Sequence, residues 1–139
     1  MIDHRIFNKG ALVVTRASGV VKRQALIDHV FWLIDSHSIG EIKDGFSQLI
    51  YVENIVSMEL KAEDILHISE ISNNMGRTRG RFRTAVVASA PYDLKLAQLH
   101  KSLAPKADIE VELFSGFEEA FRWLGCDNPD PRSITTGAV

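Results

Sequence analysis

The chain has a single cysteine, Cys126. One thiol excludes an intramolecular disulfide and fits a reducing compartment. Long hydrophobic runs are also missing. The longest evident one, Val30-Phe31-Trp32-Leu33-Ile34, falls far short of the roughly 20 apolar residues that a membrane-spanning helix needs. Neither sign of charge dominates: 16 basic and 18 acidic residues leave a net charge of −2. That balance argues against nucleic acid or an anionic membrane as a partner, unless a local patch supplies the attraction. The opening Met1-Ile2-Asp3-His4-Arg5 lacks the basic-then-apolar order of a signal peptide. A soluble, cytoplasmic protein is expected.

Chemical signatures are equally scarce. The five histidines, His4, His29, His37, His67 and His100, never take the i,i+4 helical spacing of a zinc pair, and one cysteine cannot complete a thiolate site. Ser57 and Ser89 lie in no Gly-x-Ser-x-Gly elbow, and no glycine spacing matches a phosphate loop or a dinucleotide fingerprint. No catalytic residue, metal or cofactor is therefore assigned, and the chain is not expected to be an enzyme.

What is present is the pattern of one α/β domain. With 139 residues, 45% of them hydrophobic, the chain can bury about two thirds of its unfolded surface without a staple. Residues 4–8 and 11–16 are β-prone and meet at Lys9-Gly10, which predicts a hairpin. From about Val21 to Asp35 the positions Leu26, Ile27, Val30, Leu33 and Ile34 recur at helical spacing, with Gln24, Asp28 and Asp35 on the other face, Ser18 as the N-cap and Gly40 as the stop. A third strand is expected at 46–52. A second helix follows, with Glu63 and Asp64 at its positive end and Ile65, Ile68, Ile71 and Met75 as its stripe, closing at Gly76. Residues 84–89 read as a central parallel strand. Pro91 then opens a helix lined by Tyr92, Leu96, Leu99 and Leu103, and Pro105 ends it. After the strand 109–114, Ser115 and Glu118 have capping-box spacing. Phe117, Ala120, Phe121 and Leu124 form the buried stripe, Glu118 can pair with Arg122, and Gly125 stops the helix. The domain is expected to span 1–125, with 126–139 a flexible tail. Strands and helices alternating after a hairpin predict a sheet whose later strands are parallel.

The hairpin, the helix closing at Ile34-Asp35, the strand Gln48-Leu49-Ile50-Tyr51-Val52, the segment Met58-Glu59-Leu60-Lys61-Ala62-Glu63-Asp64-Ile65, the join Val86-Val87-Ala88-Ser89-Ala90-Pro91-Tyr92-Asp93 and the ending Glu110-Val111-Glu112-Leu113-Phe114 to Ala120-Phe121-Arg122-Trp123-Leu124 together resemble the stand-alone bacterial STAS-like, or SpoIIAA-like, proteins. The resemblance covers roughly residues 4–125. It implies a mixed sheet of about five strands with an N-terminal β-hairpin and about four helices. It also implies a regulatory, protein-interaction role, since better-known members are anti-sigma-factor antagonists switched by a serine in an Asp-x-Ser-Ser-Gly-like motif at a helix N-terminus. That motif is missing here. Ser57 is the only hydroxyl in the corresponding stretch 53–62, and so the one candidate phosphoacceptor. A related fold type, the CRAL-TRIO lipid carriers, adds an alternative: a small-molecule or lipid-binding protein using an apolar cavity.

In such sheets the functional crevice lies beyond the carboxyl ends of the parallel strands. That rule selects Glu53, Asn54 and Ser57 after the third strand, Ser89, Tyr92 and Asp93 after the fourth, and Ser115 after the fifth. Capping and turn chemistry also accounts for Ser89, Asp93 and Ser115. The run Arg77-Thr78-Arg79-Gly80-Arg81-Phe82-Arg83 sets four guanidinium groups at alternate positions, with Phe82 as a stacking face, so Arg77, Arg79 and Arg81 are candidate anion contacts; a solvated loop explains them equally well. Phe31, Trp32 and Trp123 are either core or an apolar patch that pairs two copies of the chain. The partner expected is a protein or a second copy, with an apolar small ligand as the alternative.

Overall fold

The structure is a computed structural model that describes residues 2–61, 63, 64, 66–68, 70, 71, 82–88 and 109–126. Its strands are β1 (Ile2–Phe7), β2 (Leu12–Lys22), β3 (Ser47–Glu59), β4 (Phe82–Val87) and β5 (Ile109–Phe114). They form one sheet in the order β1-β2-β3-β4-β5. β1 runs antiparallel to β2, and every later neighbour is parallel. This is the mixed α/β sheet with an opening hairpin that the pattern predicts. Among the described residues three helices accompany it: α1 (Arg23–Ser38), α2, to which residues 63, 64, 66–68, 70 and 71 belong, and α3 (Phe117–Leu124). The helix expected from Pro91 and the tail 127–139 lie outside the described residues.

The hairpin turns through Asn8, Lys9 and Gly10, all with positive φ. Gly10 is needed there twice over. Its φ is +95°, and a Cβ would stand 2.4 Å from the Glu41 carbonyl oxygen, a position that backbone geometry leaves only to glycine.

Alternation along the strands separates two cores. On one face Val13, Phe46, Phe82, Val86 and Val111 pack with Leu33 of α1 and Ile42, and Phe46 and Phe82 stack at 4.6 Å between ring centroids. Ile68 of α2 joins Ile27 and Val30 of α1 on that side. On the other face Leu12, Val14, Leu49, Tyr51, Ala85 and Val87 are covered by Ala120, Phe121 and Leu124 of α3.

Several element boundaries depart from expectation. β2 continues to Lys22, because the β-branched pair Val20-Val21 and Lys22 find partners in Ser57, Met58 and Glu59 of β3. Helix α1 therefore starts at Arg23, with Lys22 as its N-cap, and Ser18 lies buried in the strand instead of capping it. β3 does not end at residue 52; it reaches Glu59. At α3 the N-cap is Gly116, without a side-chain bond, so Ser115 makes no capping box. Gly125 does close α3 in the left-handed conformation, and Arg122 pairs with Glu118 at 3.3 Å.

Candidate functional site

Two polar constellations stand out, one on each face of the sheet. The first surrounds Glu53. Arg16 of β2 sits opposite Tyr51 of β3 and beside Asp3 of β1, and its guanidinium reaches Glu53 at 3.1 Å and Asp3 at 4.0 Å. Burial raises the Tyr51 pKa, helped by the Glu53 carboxylate and opposed by Arg16. An arginine held between two carboxylates has little attraction left for an anion.

Beyond this cluster β2 and β3 run on together while their outer neighbours stop: β1 pairs with β2 only as far as Ala17, and β4 with β3 only as far as Tyr51. Two irregularities follow. Between Ala17↔Val52 and Gly19↔Ile55, and again before Val20↔Ser57, β3 carries one residue more than β2. These are bulges. Asn54 adopts φ +51° in the first, a conformation asparagine tolerates better than most residues. The extra residue of the second is Val56, which is 79% exposed, and Leu66 of α2 is 47% exposed.

The start of α2 is tied down nearby. The Lys61 backbone N–H donates to Asp64 Oδ2 at 2.9 Å, and Arg23 of α1 lies 3.5 Å from Asp64. Asp64 thus fills the role at the positive helix end that its position predicts.

The second constellation is buried under α1. Thr84 of β4 donates through its hydroxyl to Gln48 Oε1 at 3.2 Å, and Gln48 Nε2 donates to His29 Nε2 at 2.9 Å. The Thr15 hydroxyl stands 3.5 Å from the same nitrogen. Because His29 Nε2 accepts, the ring's proton sits on Nδ1, which faces His4 Nδ1 at 3.4 Å. His4 in turn stacks on Trp32 with centroids 3.6 Å apart. Burial pushes the His29 pKa down to about 3, with the neighbouring His4 adding to the effect. The His4 pKa is lowered by burial, against the opposing pull of Asp3. Sequence spacing could not reveal this row, since its members lie on four strands and a helix and meet only through the fold.

Comparison with known proteins agrees with the layers just described. No family model and no curated protein matches the sequence. Among solved structures, an uncharacterized protein of the DUF3478 family with a SpoIIAA-like fold, from Shewanella loihica PV-4, superposes with a TM-score of 0.54 at 14% identity, over 89% of this chain and 92% of its own. The anti-sigma factor antagonist SpoIIAA in its unphosphorylated form gives 0.51 at 15% identity, over 86% and 92%. The Bacillus cell fate determinant SpoIIAA in its phosphorylated form gives 0.52 at 15% identity, over 88% and 98%. The chain has the SpoIIAA-like fold.

Within that SpoIIAA-like framework the expected site residues fall as follows. Glu53, Asn54 and Ser57 come together at the carboxyl end of the sheet, but inside β3 instead of on a loop after it. Ser57 is half-buried opposite Val20, ahead of α2 and not at its first turn. Ser89, Tyr92, Asp93, Arg77, Arg79 and Arg81 lie outside the described residues. Arg83, the end of the arginine run, ties β4 to its neighbours. It donates to Glu110 at 2.8 Å and to the Trp123 carbonyl at 2.9 Å, and lies 5.0 Å from the Trp123 ring. Phe82 is buried against Phe46 and offers no stacking face. Trp32 and Trp123 pack partly into the two cores, whereas Phe31 is 49% exposed. Among the described residues no group of three or more histidine, cysteine, aspartate or glutamate side chains is placed to hold a metal ion, and no helix is long and apolar enough to cross a membrane.

Proposed function

We propose that the chain is a non-enzymatic regulatory module that works by binding another protein, or a second copy of itself, through the far end of β3 and the start of α2. The observation that carries this reading is Val56. A β-branched apolar side chain left largely in water at the unpaired position of a bulge has no packing role to explain it. Leu66 adds apolar surface on the helix that follows, and Asn54 and Ser57 supply polar groups on the same strand. Interfaces commonly combine an apolar centre with a polar rim in this way.

Two of the similar structures support the reading from outside. One is an anti-sigma factor antagonist and the other a phosphorylated cell fate determinant. Ser57 is accordingly the hydroxyl to examine for phosphate, although its strand position differs from the helix-terminal site that the resemblance implies.

The test is affinity capture from native extract with the wild-type chain and with a Val56→Asp/Leu66→Asp variant, alongside size-exclusion mass. A partner or dimer held by the wild type and lost at least tenfold in a variant with unchanged circular dichroism supports the proposal. Equal retention by both chains would overturn it.

A further inference from the structure

The buried row under α1 takes no part in the docking surface, and its geometry constrains protonation closely. His29 Nε2 is occupied as an acceptor by the Gln48 amide. The two facing Nδ1 atoms of His29 and His4, 3.4 Å apart, have room for one proton between them. A second proton on either ring would set a donor against a donor: at His29 Nε2 against the Gln48 N–H, or at His4 Nδ1 against the His29 N–H. The Gln48 carbonyl oxygen accepts from Thr84, which leaves its N–H for His29 in this arrangement. The row as it stands is satisfied with both imidazoles neutral, and a second proton on either ring requires it to rearrange.

It also joins β1 to α1, where Ile6 packs on the cluster that holds Leu33. Among the described residues β1 is an edge strand paired only with β2. Its side-chain contacts with α1 include the His4 stack on Trp32 and the His4–His29 bond. We propose that this pair is an acid-sensitive latch, through which proton uptake releases β1 from α1 and uncovers the outer edge of β2. The proposal is independent of the docking surface above.

The groups around the rings favour such a response. On β1, Asp3 and Arg5 flank His4 in sequence, and Asp3 partly offsets the effect of burial on it. Asp3 is itself engaged by Arg16 of β2. β2 presents Thr15 to His29, and β3 and β4 present the uncharged Gln48 and Thr84. On α1, Trp32 stacks against His4, while Asp28 is exposed and held by Gln24. No carboxylate bonds directly to either imidazole among the described residues, so a charge arriving on His29 has no bonded counter-ion. An exposed strand edge is a ready template for another extended chain, which is what release of β1 would create.

Hydrogen exchange of the full chain at pH 7.5 and 5.0, corrected for intrinsic rates, tests the latch. At pH 5.0 the amides of β1 should exchange through a local opening, at least tenfold faster than those of β4. Their protection should fall at least tenfold from pH 7.5. In His29→Gln, which keeps an acceptor for Gln48 but cannot titrate, that fall should shrink to less than threefold. If His29→Gln does not fold, His29→Asn, which also cannot titrate, serves the same comparison. Equal protection of β1 and β4 at pH 5.0, or the same fall in the non-titrating variant, would sink the proposal.

Discussion

Gly10 shows how one residue can commit two segments at once. Its φ of +95° already disfavours any side chain, and the Glu41 carbonyl fills the space where a Cβ would go. The same glycine's carbonyl accepts from the Lys43 N–H at 2.9 Å, so the hairpin turn is fastened to the loop that follows α1. Gly10→Ala should therefore lower unfolding free energy by ~2–4 kcal/mol, combining left-handed strain with a backbone clash. Urea denaturation would check this; a loss below ~1 kcal/mol would mean that the loop gives way easily. The sequence marks this glycine as a turn, but the clash partner lies 31 positions away and leaves no local trace.

At the scale of elements, the main surprise is the length of β3. Glu53-Asn54 reads as a strand end because asparagine is a turn former. Here it is a bulge former, and with the second bulge at Val56 the regular pairing resumes two residues further along β3. The β-branched run on β2, Val20-Val21, contains the information that this strand needs a longer partner, but it also fits the start of a helix. Asn54 offers a direct check on the bulge. Asn54→Gly should be neutral within ~0.5 kcal/mol, since glycine adopts φ +51° easily, whereas Asn54→Val should cost ~1–2 kcal/mol. Similar costs for both substitutions, measured by thermal or urea unfolding, would show that the side chain and not the backbone angle matters there. If Val56 is the docking residue, Asn54→Val should also weaken capture of the partner, because an altered bulge re-aims it. The helix stripes were easier to read, since Ile27, Val30, Leu33, Ala120, Phe121 and Leu124 obey a 3.6-residue period and are buried. Caps were harder: Lys22 and Gly116 hold their places without side-chain bonds, so the hydroxyls nearby in sequence were misleading.

For the whole molecule, the architecture was legible because each layer repeats one simple rule, apolar alternation on strands and apolar stripes on helices. The polar row crossing the sheet was not, because burying His29, Thr15, Gln48 and Thr84 breaks that rule, and only the assembled layers satisfy their hydrogen bonds. The row has a consequence for global stability. His29 binds a proton at about pH 3 when folded and near 6.5 when unfolded. Between those values the unfolded chain holds the extra proton, so stability rises with pH. The contribution is fully present above about pH 6.5 and is lost progressively as pH falls toward 3, by up to about 1.4 kcal/mol per unit. His4, shifted the same way, adds to the slope. Urea midpoints at pH 7.5 and 5.0 should accordingly separate by about 2 kcal/mol of stability for the wild type on account of His29 alone. His29→Gln should lose most of that difference while being somewhat less stable at pH 7.5, where the native ring is well matched to its partners. A variant as acid-sensitive as the wild type would place the linkage elsewhere in the molecule, and the buried row would then be a structural bridge without a role in proton binding.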